Sequence, residues 1–116
     1  MVKLILTDMD GTLRDSHFRM PEGVDETISQ LADRGVVFGA ASGRQYYSLI
    51  KSFEKHVNEM LFVAENGTYV VYKKQEIFSN ALHRDYLNDV LKVAGLHDCI
   101  GEVVREIKRP NGLIIK

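Results

Sequence analysis

Cysteine is nearly missing from this chain, neither sign of charge is in excess, and no hydrophobic run is long. The lone thiol, Cys99, excludes an intrachain disulfide framework and fits a reducing compartment. It reads as a small hydrophobe in or near a core. Lys and Arg number 15 against 16 Asp and Glu, a net charge of -1, and no basic block stands out. That balance gives no reason to expect a nucleic-acid partner. The apolar stretch ahead of Asp8 is too short for a signal h-region and far too short to span a bilayer. The expected setting is cytoplasmic, with no membrane partner. The four histidines, His17, His56, His83 and His97, lack ligand spacing and read as structural or surface groups. Repeats and low-complexity segments are missing as well.

What remains is an ordinary globular composition, 45% apolar and 27% charged over 116 residues. Such a length suggests one domain that buries about two-thirds of its unfolded surface. Val2 to Thr7 is apolar on both faces and predicts a central parallel strand. Pro21 suits the first turn of a helix bearing Val24, Ile28, Leu31 and Ala32 at helical spacing, and Gly35 stops it. Val36 to Ala41 predicts a second strand. Gln45 to Lys55 predicts a second helix with Tyr46, Leu49, Ile50 and Phe53 on one face, and Met60 to Ala64 a third strand. The β-α-β-α-β order predicts an α/β fold with a Rossmann-like, doubly wound parallel sheet. After the turn at Asn66-Gly67, Thr68 to Tyr72 and Ile77-Phe78 read as a hairpin around Lys73-Lys74-Gln75-Glu76. Leu87, Val90, Leu91 and Ala94 mark a third helix closed by Gly95. Glu102 to Ile107 and Leu113 to Ile115 predict two strands around Arg109-Pro110-Asn111-Gly112. The final apolar run is expected to mark a core left incomplete, with an apolar sheet edge through which copies could associate.

Three strand-to-turn junctions carry chemistry. In the first, Asp8 and Asp10 stand two residues apart at the end of the first strand, followed by Gly11-Thr12. Ligands of open α/β sheets gather beyond the carboxyl ends of the strands. Two acids there can hold a hard cation and divide labour as nucleophile and proton shuttle. In the second, Ser42-Gly43-Arg44 opens the second helix, where backbone N–H groups and a hydroxyl suit an anion such as a phosphoryl group. The third is Glu65-Asn66-Gly67. Right-handed crossovers bring all three junctions to one sheet edge.

With their order and spacing, Asp8-Met9-Asp10-Gly11-Thr12-Leu13, Ala41-Ser42-Gly43-Arg44 and Glu65-Asn66-Gly67 resemble the haloacid dehalogenase superfamily of phosphatases, most closely its Cof-type branch. The resemblance covers residues 1–80 as the N-terminal part of the core and leaves residues 81–116 as the start of an inserted cap. It implies a Mg²⁺-dependent phosphatase of small phosphorylated metabolites such as sugar phosphates, working through an aspartyl-phosphate. Asp8 is implied as the nucleophile and a Mg²⁺ ligand. Asp10 is implied as the acid and base, with its backbone carbonyl on the metal. Ser42 and Gly43 are implied to bind phosphate, with backbone N–H groups of Met9 and Thr12, while Arg44 and Asn66 are candidate substrate contacts.

Two parts of the family's pattern have no clear match: a lysine that neutralises the nucleophile–phosphate pair, and a later Gly-Asp acidic motif that completes the metal shell. Gly101-Glu102-Val103-Val104-Arg105-Glu106 is the nearest imitation of the motif, and Lys108 and Lys116 the nominees for the lysine. The expectation is therefore an N-terminal portion of a larger phosphatase, weakly active or inactive by itself. The alternatives are a non-catalytic portion that self-associates or binds a partner, and a DxD metal-binding module of a nucleotide-sugar transferase. The latter is disfavoured because no nucleotide-binding strand precedes Asp8.

Overall fold

The computed structural model describes residues 1–95 together with 107–108 and 114–115. The chain divides into two compact units, Met1–Asn80 and Ala81–Lys116. In the first, β1 (Leu4–Asp8), α1 (Val24–Asp33), β2 (Val37–Ala41), α2 (Tyr46–Ile50), β3 (Leu61–Ala64), β4 (Tyr69–Tyr72) and β5 (Gln75–Ser79) follow in sequence. They build one five-stranded sheet in the order β1-β2-β3-β4-β5. The pairs β1–β2 and β2–β3 are parallel, whereas β3–β4 and β4–β5 are antiparallel.

Local sequence explains most boundaries. Asp25 and Glu26 sit in the first turn of α1, where the helix dipole favours acids. Gly35 ends it with φ at 72°, so that the N–H groups of Gly35 and Val36 return to the carbonyls of Ala32 and Leu31 at 2.9 Å each. Pro21 precedes this helix instead of entering it, because Gly23 takes the cap position in a left-handed conformation. The second helix is shorter than its apolar spacing predicts. It ends at Ile50 and tightens into a 3-10 turn over Lys51–Phe53, which still delivers Tyr46, Leu49 and Phe53 to the interior. The hairpin turns on Lys73 and Lys74, both with positive φ, as a two-residue turn between twisted strands requires.

The core lies on β2 and β3. Phe38, Ala40, Phe62 and Ala64 from the sheet meet Ile28, Leu49, Phe53 and Met60, all buried. Tyr46 packs edge-on against Phe62 and Tyr69, with ring centroids 5.8 Å and 5.6 Å away. Burying one such side chain contributes about 1.5–3 kcal/mol. Gly39 lets three strands close up: a Cβ there would stand 2.8 Å from Leu6 Cδ1 and 3.0 Å from the Leu61 carbonyl oxygen.

The position of β1 corrects the sequence reading. Its two apolar faces predict a central strand, yet it lies at the sheet edge and pairs only with β2 among the described residues. Leu4, Ile5 and Leu6 remain 48%, 37% and 47% exposed. An apolar run records that both faces suit burial; it does not record which neighbours flank them.

In the second unit, α3 spans Arg84–Gly95, and β6 (Ile107–Lys108) pairs antiparallel with β7 (Ile114–Ile115). Residues 101–106, the turn at 109–112, His97, Cys99 and Lys116 lie outside the described residues. Among the described residues no helix is long and apolar enough to cross a membrane.

Candidate active site

Parallel register sets the site. Asp8 pairs with Ala41, and Ala41 with Val63, so the last residues of β1 and β2 and the next-to-last of β3 form one row. The chain beyond each strand therefore leaves from the same edge. Period-two alternation continues past β1: Met9 points into the core with no exposed surface, while Asp8 and Asp10 are solvent-exposed. The turn that follows is held by Leu13 N–H to the Asp8 carbonyl at 3.3 Å and Arg14 N–H to the Met9 carbonyl at 2.8 Å.

The second and third junctions are stitched together. Ser42 N–H donates to the Val63 carbonyl at 2.9 Å, Glu65 N–H to the Arg44 carbonyl at 2.9 Å, and Asn66 N–H to the Ser42 carbonyl at 3.3 Å. The Ser42 hydroxyl oxygen accepts from Arg44 N–H at 3.1 Å. Gly43 admits the Asn66 side chain, whose Oδ1 lies 2.8 Å from where a Cβ would stand. Glu65 and Asn66 both take left-handed backbone, φ 54° and 56°. Such residues cost about 1–3 kcal/mol each and gather at functional sites. The sequence marks this stretch as a polar junction with Asn66 a candidate substrate contact; the strain at Glu65 carries no sequence signal.

The result is a depression of about 310 Å³ lined by Asp8, Ala41, Ser42, Gly43, Val63, Asn66 and Gly67. It brings together Asp8, Ser42, Gly43 and Asn66 of the expected residues. Ala41 and Gly67, which belong to the same motifs, and Val63, which the register places beside Ala41, complete the lining. Met9 and Thr12 are not in the lining: Met9 is a core side chain, and Thr12 sits on the exposed turn after Asp10. One expectation needs correction. Ser42-Gly43 does not open a helix, because Gln45 is extended with ψ 147° and α2 starts only at Tyr46. Any anion held here meets loop N–H groups and a hydroxyl, not a helix terminus. The hydrogen bonds to β3 and to Asn66 keep the segment extended across the edge.

Asp10 and Arg44 meet each other. Arg44 Nε donates to Asp10 Oδ2 at 3.0 Å and Nη2 to Oδ1 at 2.9 Å, a two-point fork across 34 residues of sequence. The side chains are 41% and 32% exposed, Asp10 and Arg44 respectively, so the pair is worth at most about 1 kcal/mol. No hydrogen bond or ion pair among the described residues engages the Asp8 carboxylate, and none of the lining residues is cationic. Among the described residues no three His, Cys, Asp or Glu groups converge as a ready metal cage. Asp8 and the Asp10 carbonyl are still oxygen donors of the hard type that Mg²⁺ takes, and Mg²⁺ commonly keeps water and substrate oxygens as its other ligands.

A larger depression, about 550 Å³, lies elsewhere and includes Asp25, Lys55, His56 and Glu59 in its lining. His56 is buried with Nδ1 2.6 Å from Glu59 Oε1 and Nε2 3.1 Å from Asp25 Oδ1. Lys55 Nζ donates to Asp25 Oδ2 at 2.9 Å. That hydrogen bond holds the Asp25 carboxyl below its ordinary 3.8 against the opposing effect of burial, with His56 adding less. Lys55 is raised in turn by the same partner.

The profile of the haloacid dehalogenase-like hydrolases matches residues 5–107. The chain is 40% identical over 92 residues to the 5-amino-6-(5-phospho-D-ribitylamino)uracil phosphatase YbjI of Escherichia coli, covering 78% of this chain and 34% of that protein. SMU.1108c of Streptococcus mutans superposes with a TM-score of 0.72 at 28% identity, over 85% of this chain and 38% of that one. A haloacid dehalogenase-like hydrolase of Bacteroides thetaiotaomicron gives 0.74 at 23% identity, over 83% and 38%. The chain thus spans roughly a third of the length of these proteins. The matched profile runs over most of the chain and the identity to YbjI over more than two thirds of it: the chain belongs to the haloacid dehalogenase-like hydrolase family.

Proposed function

We propose that the Asp8 pocket serves the hydrolysis of phosphomonoesters of small phosphorylated metabolites. The observation that carries this reading is an unpartnered carboxylate facing the Ser42 hydroxyl and Gly43 across one pocket. A carboxylate is a nucleophile at neutral pH without losing a proton. Asp8 would attack phosphorus to form an aspartyl-phosphate and expel the alcohol, with Asp10 donating a proton to the leaving oxygen. Asp10 would then take a proton from water as that water attacks phosphorus, and Asp8 is restored. Ser42 and the loop N–H groups would hold phosphoryl oxygens. Mg²⁺ held by Asp8 and the Asp10 carbonyl would offset repulsion between the nucleophile and its anionic target. The YbjI relative is named for a phosphorylated small molecule, which supports that substrate class. The single cysteine supports a cytoplasmic setting.

Weak activity is expected of the 116-residue chain. No lysine or second acidic group joins the pocket among the described residues, and one such electrostatic group is typically worth about 10²–10³ in rate. The test is release of a chromogenic alcohol from its phosphate ester with Mg²⁺ present. Slow release, lost in Asp8→Asn, is expected; equal release by both proteins overturns the reading. A second reading, self-association through β1, is favoured by its exposed Leu4, Ile5 and Leu6 on an edge strand. Sedimentation velocity across a hundredfold concentration range decides it, and a monomer throughout removes it.

A further inference from the structure

We propose that Arg44 is a positioning residue that holds Asp10 away from the pocket and exchanges it for an incoming phosphoryl group. The inference rests on the phosphoryl-site reading above and concerns an ion-pair exchange, with no bond made or broken. Both Asp10 oxygens accept guanidinium N–H bonds, so neither is presented to a leaving oxygen, and Asp10 does not line the pocket that holds Asp8. Arg44 does not line that pocket but is anchored beside it. Its N–H reaches Ser42 Oγ at 3.1 Å, and its carbonyl accepts from Glu65 N–H at 2.9 Å. The guanidinium therefore swings from a fixed stem next to the two residues expected to bind phosphate.

Charge supplies the drive. The pocket lining carries the Asp8 carboxylate and no cation, so an anionic phosphoryl group entering it meets repulsion with nothing lining the pocket to offset it. Arg44 can offer a phosphate the same planar fork that it offers Asp10. The existing pair is exposed enough to open at small expense. Binding of the anion and release of the Asp10 carboxylate are then one event: the substrate's own charge frees Asp10 from its partner.

The test uses the 116-residue chain and inorganic phosphate, followed by NMR of the Arg44 Nε–H and of the Ser42 and Gly43 amides. Phosphate is expected to move all three signals with one midpoint. Asp10→Ala removes the competitor, and phosphate should bind about fivefold more tightly, equivalent to about 1 kcal/mol at 1.4 kcal/mol per tenfold. Deleting a negative charge could do the same without any exchange, so Asp10→Ala is repeated in an Arg44→Gln background. The exchange requires the gain to vanish there. The same gain in both backgrounds overturns it. Phosphate shifts at Ser42 and Gly43 with the Arg44 signal unmoved overturn the exchange alone. No shift at Ser42 and Gly43 overturns the phosphoryl site and the exchange with it.

Discussion

Of the depression at His56 and the depression at Asp8, the larger is the less promising for chemistry. Around His56 the ring and its neighbours are paired with one another: Glu59 and Asp25 bracket the ring, Lys55 takes the remaining Asp25 oxygen, and Glu26 completes the charged lining. Those contacts tie the start of α1 to the segment before β3. Around Asp8 the pattern is reversed. The loops are cross-linked through the Ser42, Glu65 and Asn66 amides, two residues sit in strained left-handed geometry, and one carboxylate has no partner among the described residues. Charges that satisfy one another hold a fold together; a charge left open by a rigid frame is available to a ligand.

The difference can be broken most directly at the two centres. Asp8→Asn should reduce phosphatase release to the blank rate while leaving the urea midpoint within about 0.5 kcal/mol of the parent, as expected for an exposed side chain without partners. A large loss of stability would mean that Asp8 is a structural acid after all. His56→Ala should do the opposite. The buried ring and its contacts to Asp25 and Glu59 are lost together, and urea unfolding should show about 1–3 kcal/mol of destabilisation with phosphate affinity unchanged.

Gly43→Ala sharpens the contrast at smaller scale. The new Cβ meets only the tip of the Asn66 side chain, which can swing away, so stability should hold while phosphate affinity falls severalfold. Gly39→Ala meets the Leu61 carbonyl oxygen and Leu6 instead, and should destabilise by about 1–3 kcal/mol in the same urea assay. The smallest effect belongs to pH. Asp25 has its folded pKa depressed below the ordinary 3.8, so its contribution is present above that value and is lost as pH falls through the folded one. Asp25→Asn should therefore lower stability slightly at neutral pH, where the contribution is present, and flatten the acid limb of the stability profile below 3.8. An unchanged acid limb would show that the Lys55 contact is not maintained in solution.

Much of the fold is legible in the chain. The run ending at Asp8, the spacing of Val24, Ile28 and Leu31, and the stop at Gly35 each locate an element through local steric and hydrophobic rules. The hairpin was legible too, although the turn closes on Lys73-Lys74 alone and Gln75-Glu76 belong to the returning strand. The second helix was overextended, because Ile50 and Phe53 keep their burial pattern through a 3-10 turn as well as through an α-helix. At the site, Asp8, Ser42, Gly43 and Asn66 were legible from their motifs, whereas the Asp10–Arg44 fork was not. Nothing in either local sequence says that a guanidinium crosses to a carboxylate 34 residues away.

The sequence by itself determined where strands and helices begin and which turns carry acids, hydroxyls and glycines, because backbone sterics and apolar periodicity act over a few residues. Only the tertiary structure decided that β1 takes the sheet edge, that Val63 joins the pocket, and that Asp10 answers to Arg44 while Asp8 stays open. Those outcomes depend on strand register and on long side chains meeting across separate loops, and neither is encoded in any short stretch of chain.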